Sequence, residues 1–158
     1  MAGRITKSET QLRPDPKYGS KTLSRFINCV MLDGKKAVAQ RVVYEALAEI
    51  EKRSKGDLTG IEVFDKAISN VKPEIEVRSK RVGGQNYQVP MQVRPKRRQS
   101  LAFRWIITAA RGDSGKPMSK RLSKEIWDAY NGEGKAMTTR ENMHRMAEAN
   151  RAFSHFAW

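Results

Sequence analysis

The chain has 158 residues, with 31 Lys and Arg against 17 Asp and Glu and a formal net charge of +14. That length is one domain able to bury a core, and a surface this basic attracts polyanions. No apolar run approaches the ~20 residues of a membrane span, and the first twenty residues lack the apolar core of a secretion signal. Cys29 is the single cysteine, which excludes an internal disulfide framework and fits a reducing compartment; with only His144 and His155 beside it, a zinc finger is excluded too.

Residues 1–19 are polar and basic, contain Pro14 and Pro16, and read as an extended N-terminal arm without an apolar face to bury. A single helical domain is expected over 20–158. Ser20 can cap a first helix in which Leu23, Phe26, Ile27, Val30 and Met31 share one face, with Cys29 beside that stripe as a small core residue. The second helix places Ala39, Val42, Val43, Ala46, Leu47 and Ile50 together and ends by Gly56. Thr59 and Glu62 form a capping box for a third, with Ile61, Phe64, Ile68 and Val71 inward and Pro73 ending it.

The period then changes from 3.6 to 2. Ile75 and Val77, then Tyr87, Val89, Met91 and Val93, mark a β-hairpin over about 74–93. A two-residue Gly83-Gly84 loop would put Val77 opposite Pro90 and the two apolar sets on opposite faces, so an odd loop or a bulge is expected there. Arg78, Lys80 and Arg81 crowd its tip. Pro95 opens a fourth helix, apolar almost all round from Leu101 to Ala110 and therefore central, on which Arg97, Arg104 and Arg111 recur every seven residues. A fifth runs from Met118 to Tyr130. Thr138 and Glu141 form a second capping box for a sixth helix carrying Met143, Met146 and Ala147, and the aromatic tail from Phe153 to Trp158 is tied down. The fold class is mainly α: one bundle of about six helices with a protruding hairpin between helices three and four.

Charge is strongly segregated. Residues 77–124 carry thirteen basic groups and one acid, Asp113, while 45–76 carry five basic and eight acidic groups. Solubility tolerates mixed signs, so a block of one sign points to nucleic acid. The arm, the hairpin tip and the arginine face of helix four converge as phosphate-binding elements. A helix-turn-helix DNA reader would lack the inserted hairpin, whereas arms and ribbons suit irregular RNA.

No catalytic constellation emerges. Gly112-Asp113-Ser114-Gly115 has the form of a serine-protease nucleophile loop, but both histidines follow the serine and the β-barrel pattern is missing. Gly115-Lys116 lacks the first glycine and the Ser/Thr of a phosphate loop. Two histidines make a poor metal site, and surface or RNA-stacking roles suit them better. The chain reads as a non-enzyme without cofactor, metal or small-molecule substrate.

The stretch EVRSKRVGGQNYQVPMQVRPKRRQSLAFRW (Glu76–Trp105), with RPDPKYGSKTLSRFIN (Arg13–Asn28), LDGKK (Leu32–Lys36), IEVFDKAISNVKP (Ile61–Pro73) and MAEANRAFSHFAW (Met146–Trp158), resembles the small-subunit ribosomal protein seven family of bacterial and organellar type. The resemblance covers nearly the whole chain in order. It departs in the first dozen residues and at Gly112–Lys116. It implies a helical bundle with a protruding hairpin, and a non-catalytic primary binder of the 3′ major (head) domain of small-subunit rRNA. Such a protein nucleates assembly of the head near the exit-site tRNA and the mRNA path, beside small-subunit proteins nine and eleven. It works in the cytoplasmic ribosome, or in a plastid or mitochondrial one. A member can also repress its own operon through the messenger.

Carried residue by residue, the resemblance implies RNA contacts from Arg4, Lys7, Arg13 and Lys17 in the arm, and from Lys21, Arg25, Lys35 and Lys36 in helix one and the turn after it. The ribbon contributes Arg78, Lys80 and Arg81. Arg94, Lys96, Arg97, Arg98, Arg104 and Arg111 follow around helix four, where Arg104 could instead pair with an acid inside the bundle. The competing reading is a free-standing regulator or architectural protein on DNA or RNA.

Overall fold

In a computed structural model describing residues 12–157, six α-helices and a two-stranded antiparallel ribbon follow in the expected order. Helix α1 spans Lys21–Val30, α2 Lys36–Arg53 and α3 Gly60–Val71; β1 spans Ile75–Val82 and β2 Gln85–Gln92; α4 spans Pro95–Gly112, α5 Met118–Tyr130 and α6 Lys135–Ala149, and a 3-10 turn covers Arg151–Phe156.

The local signals explain most boundaries. Ser20 Oγ accepts from the Leu23 N–H at 3.2 Å and starts α1. At α3 both halves of the Thr59/Glu62 capping box form, and Glu62 accepts from the Thr59 N–H at 2.9 Å. Pro95 occupies the first turn of α4, where a missing N–H costs nothing.

The apolar stripes meet in one core. Phe26 of α1, Phe64 of α3 and Phe103 of α4 are buried; the Phe26 ring stands edge-on to the other two at 5.1 and 5.2 Å. Helix α4 packs on α1, α3, α5 and α6, as its apolar circumference predicts, but it shares the centre with α5, which packs on α2, α3, α4 and α6.

Several expectations are corrected, the hairpin first. The hairpin has the two-residue Gly83-Gly84 loop, with Val77 opposite Pro90, and not an odd loop or bulge. Both glycines take positive φ (57° and 90°), as a twisted two-residue turn requires. The apolar sets do fall on opposite faces, and the fold tolerates this because the inward slot of β1 holds a carboxylate. Glu76 is 5% exposed and Ile75 38%. Glu76 shares its face with Met91 across the ladder, Arg78 with the fully buried Val89. The burial is made possible by Arg97 of α4, whose Nε lies 2.7 Å from both Glu76 oxygens.

The sixth helix starts at Lys135, not at Thr138, whose hydroxyl donates to the Gly134 carbonyl. Its cap comes from a neighbour: buried Glu125 of α5 accepts from the Ala136 N–H at 2.7 Å. Gly134 makes room at φ 95°, where a Cβ would meet Asp128 Cβ and Glu125 Oε1 at 3.1 Å. Met146, expected inward, is 48% exposed, while Ala136, Met137 and Ala147 are buried.

Desolvation raises the Glu125 carboxyl above the ordinary carboxylate range, against the pull of the Ala136 N–H. The folded chain therefore holds this proton more tightly than the unfolded one. Ionising Glu125 lowers stability as pH rises from the ordinary range through the raised value, and the whole cost is present above it. Glu125→Gln keeps an oxygen for Ala136 and removes the buried charge. It is expected to match or exceed the parent in urea unfolding at pH 7, and to lose any advantage in acid; a variant weaker at pH 7 would contradict this.

Only the end of the arm can be compared with the expectation of an extended segment, and there it differs. Arg4 and Lys7 lie outside the described residues, but Pro14–Gly19 is a folded turn. Asp15, 3% exposed, accepts from Lys17 and Tyr18 N–H at 3.1 Å each and from the Tyr44 hydroxyl of α2 at 2.7 Å. A buried carboxylate with three donors docks this part of the arm, together with Tyr18, which packs against the core edge-on to Tyr44 at 6.0 Å. Truncating Met1–Lys17 should therefore lower the melting temperature, because Asp15 and its contacts go with it. Asp15→Ala alone is expected to cost about 1–3 kcal/mol by thermal denaturation, since Tyr44 and the turn lose their acceptor.

The tail is tied down as expected. Tyr87 of β2 packs on Phe153 and Phe156 at 5.2 Å each, and Lys80 Nζ donates to the Phe156 carbonyl at 2.7 Å. Trp158 lies outside the described residues.

Candidate nucleic-acid interface

The cations fall into two connected groups. The first joins α1 to α4. Arg25 Nη1 donates to Gln99 Oε1 at 3.3 Å, and Arg111 Nη2 to the Val30 carbonyl at 3.1 Å. Lys21, Lys35, Lys36 and Arg104 are exposed, so Arg104 has no place inside the bundle. Cys29, expected in the core, is exposed on α1. Partial burial raises its thiol, opposed by the charges of Arg25 and Arg104.

The second group joins the ribbon to the start of α4. It comprises Arg78, Lys80 and Arg81 with Arg94, Lys96, Arg97 and Arg98. Arg97 is the arginine that pairs with an acid, and Arg78 Nε reaches the same Glu76 at 2.9 Å. Arg98 Nε donates to the Val93 carbonyl at 2.8 Å, so its guanidinium braces the ribbon base. Arg81, Arg94 and Lys96 are exposed. From the arm, Arg13 and Lys17 are exposed, and Lys17 Nζ stands 5.1 and 5.3 Å from the Tyr18 and Tyr44 ring centroids.

Several contributors carry no signal in the sequence. Gln99 and Glu76 orient arginines, and a single polar residue in an apolar or basic run gives no sign of that. Lys116, Lys120 and Lys124 gather with Arg53 around a polar cleft of about 770 Å³ that Glu49 and Asp113 also line; only the uneven charge count points there. His144 is structural, its Nε2 accepting from the Glu74 N–H at 3.2 Å at the ribbon base.

What this arrangement offers is fixed positive charge on a rigid frame. Among the described residues no group of three or more His, Cys, Asp and Glu could hold a metal ion, and no helix is long and apolar enough to cross a membrane. A helical body with a docked basic turn, a cationic ribbon and an arginine-rich helix start defines a basic scaffold protein with an extended cationic face, the electrostatic form that suits a polyanion. The chain belongs to the family described as ribosomal protein S7p/S5e, whose sequence profile matches residues 2–151. It is 60% identical over 156 residues, 99% of both chains, to small ribosomal subunit protein uS7 of Rhodopirellula baltica. It is 56% identical to the protein of that name from Rhizorhabdus wittichii and 54% to that from Sphingopyxis alaskensis, each over the full length of both chains.

Proposed function

We propose that this chain is a structural constituent of the small ribosomal subunit in the bacterial cytoplasm, and that it binds the 3′ major domain of small-subunit rRNA as a primary assembly protein. The observation that carries the reading is the single-sign block: thirteen cations to one acid between residues 77 and 124. The two described groups of cations adjoin through α4, so one RNA can engage α1, α4 and the ribbon together. The ribbon tip, with exposed Arg81 beside the Gly83-Gly84 turn, is directed to the exit-site tRNA and mRNA path. Small-subunit proteins nine and eleven are its neighbours. These last assignments rest on the family.

Affinity for RNA fragments tests the reading. Purified chain is expected to prefer the isolated 3′ major domain over the 5′ domain of the same rRNA, with log affinity falling steeply against log salt. Equal binding to both fragments and to duplex DNA would favour the free-standing regulator instead.

A further inference from the structure

We propose that Glu76 is a positioning residue, which holds Arg78 and Arg97 as a paired guanidinium clamp for RNA backbone phosphate; this rests on the RNA-binding reading above. Glu76 is a buried acid within the most basic part of the chain. Its carboxylate takes Arg97 Nε at 2.7 Å and Arg78 Nε at 2.9 Å. One arginine comes from β1 and the other from the first turn of α4, so a single carboxylate sets where the ribbon cations stand relative to the helix cations. The side chains of Arg78 and Arg97 remain 40% and 43% exposed.

A guanidinium has five N–H donors, and a grip at Nε does not need both Nη groups. Each arginine can thus be anchored from inside and still offer a fork outside, which suits the two oxygens of a phosphate. One negative charge against two positive ones leaves the site net cationic and removes the repulsion that would drive the two side chains apart. The anchoring also removes side-chain freedom before RNA arrives, which lowers the cost of binding.

The sign of one substitution separates this from a purely structural role. An acid in a cationic face repels RNA, so removing a bystander acid strengthens binding. If Glu76 positions the clamp, removing its charge weakens binding although the protein becomes more basic. The test is Glu76→Gln in the full chain, with affinity for the 3′ major-domain fragment measured across salt, alongside a thermal melt. The expected result is about tenfold weaker binding and a log–log slope shallower by about 0.7–0.9 for each phosphate that the clamp no longer neutralises. Binding equal to or tighter than the parent, whatever the melting temperature, overturns the proposal. If Glu76→Gln does not fold, Arg97→Lys decides, because it keeps the charge and a donor for Glu76 but loses the fork. Weakened binding then supports the clamp, and parental affinity overturns it. A parent chain showing no preference for the fragment overturns the RNA reading and the clamp with it, an outcome distinct from a parent and variant that bind alike.

Discussion

Phe26→Ala is expected to destabilise the protein by about 3–5 kcal/mol. Phe26 is fully buried where three helices meet, and its ring stands edge-on to Phe64 and Phe103. Truncation removes both aromatic neighbours' packing partner and leaves a cavity where α1, α3 and α4 meet, which the surrounding packed side chains fill only in part. For a chain of this size each kcal/mol shifts the melting temperature by about 2–4 °C, so a fall on the order of 10 °C should appear in calorimetry. A fall of only a degree or two would mean that α1 is not part of the common core.

The second large effect is on RNA. Arg94→Glu combined with Arg104→Glu is expected to weaken binding to the 3′ major domain at least tenfold and to flatten the salt slope by about 1.4–1.8, because two phosphates are no longer neutralised. These two arginines are chosen because both are exposed and lie on the two cation groups that α4 connects. Arg94 is the N-cap residue of α4, where an acid is favourable to the helix dipole, and Arg104 lies on the exposed face of the same helix. Stability should therefore change little, as for most surface substitutions. Reversing Arg97 would be a poorer experiment: it would set a second carboxylate against buried Glu76 and confound folding with binding. An unchanged slope in the Arg94/Arg104 variant would show that phosphate does not approach this face.

The helices were legible because their signals are local. The Thr59/Glu62 box, Pro95 and the Phe26, Phe64 and Ile68 spacing each report on a few neighbouring residues. Three of the failures share one physical cause: a polar group whose role is decided by a residue outside its own element. Glu76 turns inward because Arg97 meets it 21 residues later, and that reverses the face on which β1 seems apolar. Asp15 docks the arm because Tyr44 reaches it, 29 residues away. Glu125 starts α6 three residues ahead of the Thr138 box because it caps Ala136 from the preceding helix. At the interface, the positions of the cations were readable from composition. Which of them are braced from inside was not, since Arg98 and Arg111 also donate to the Val93 and Val30 carbonyls.

Reconstitution tests the central claim most directly. Small subunits are assembled from naked rRNA and the remaining proteins, with and without this chain, and sedimented in low magnesium and moderate salt. The prediction is that the chain migrates with the subunit in a one-to-one ratio, protects the 3′ major domain from hydroxyl-radical cleavage, and is needed for the later head proteins to join. A chain that stays at the top of the gradient while the head assembles normally without it would contradict the ribosomal reading.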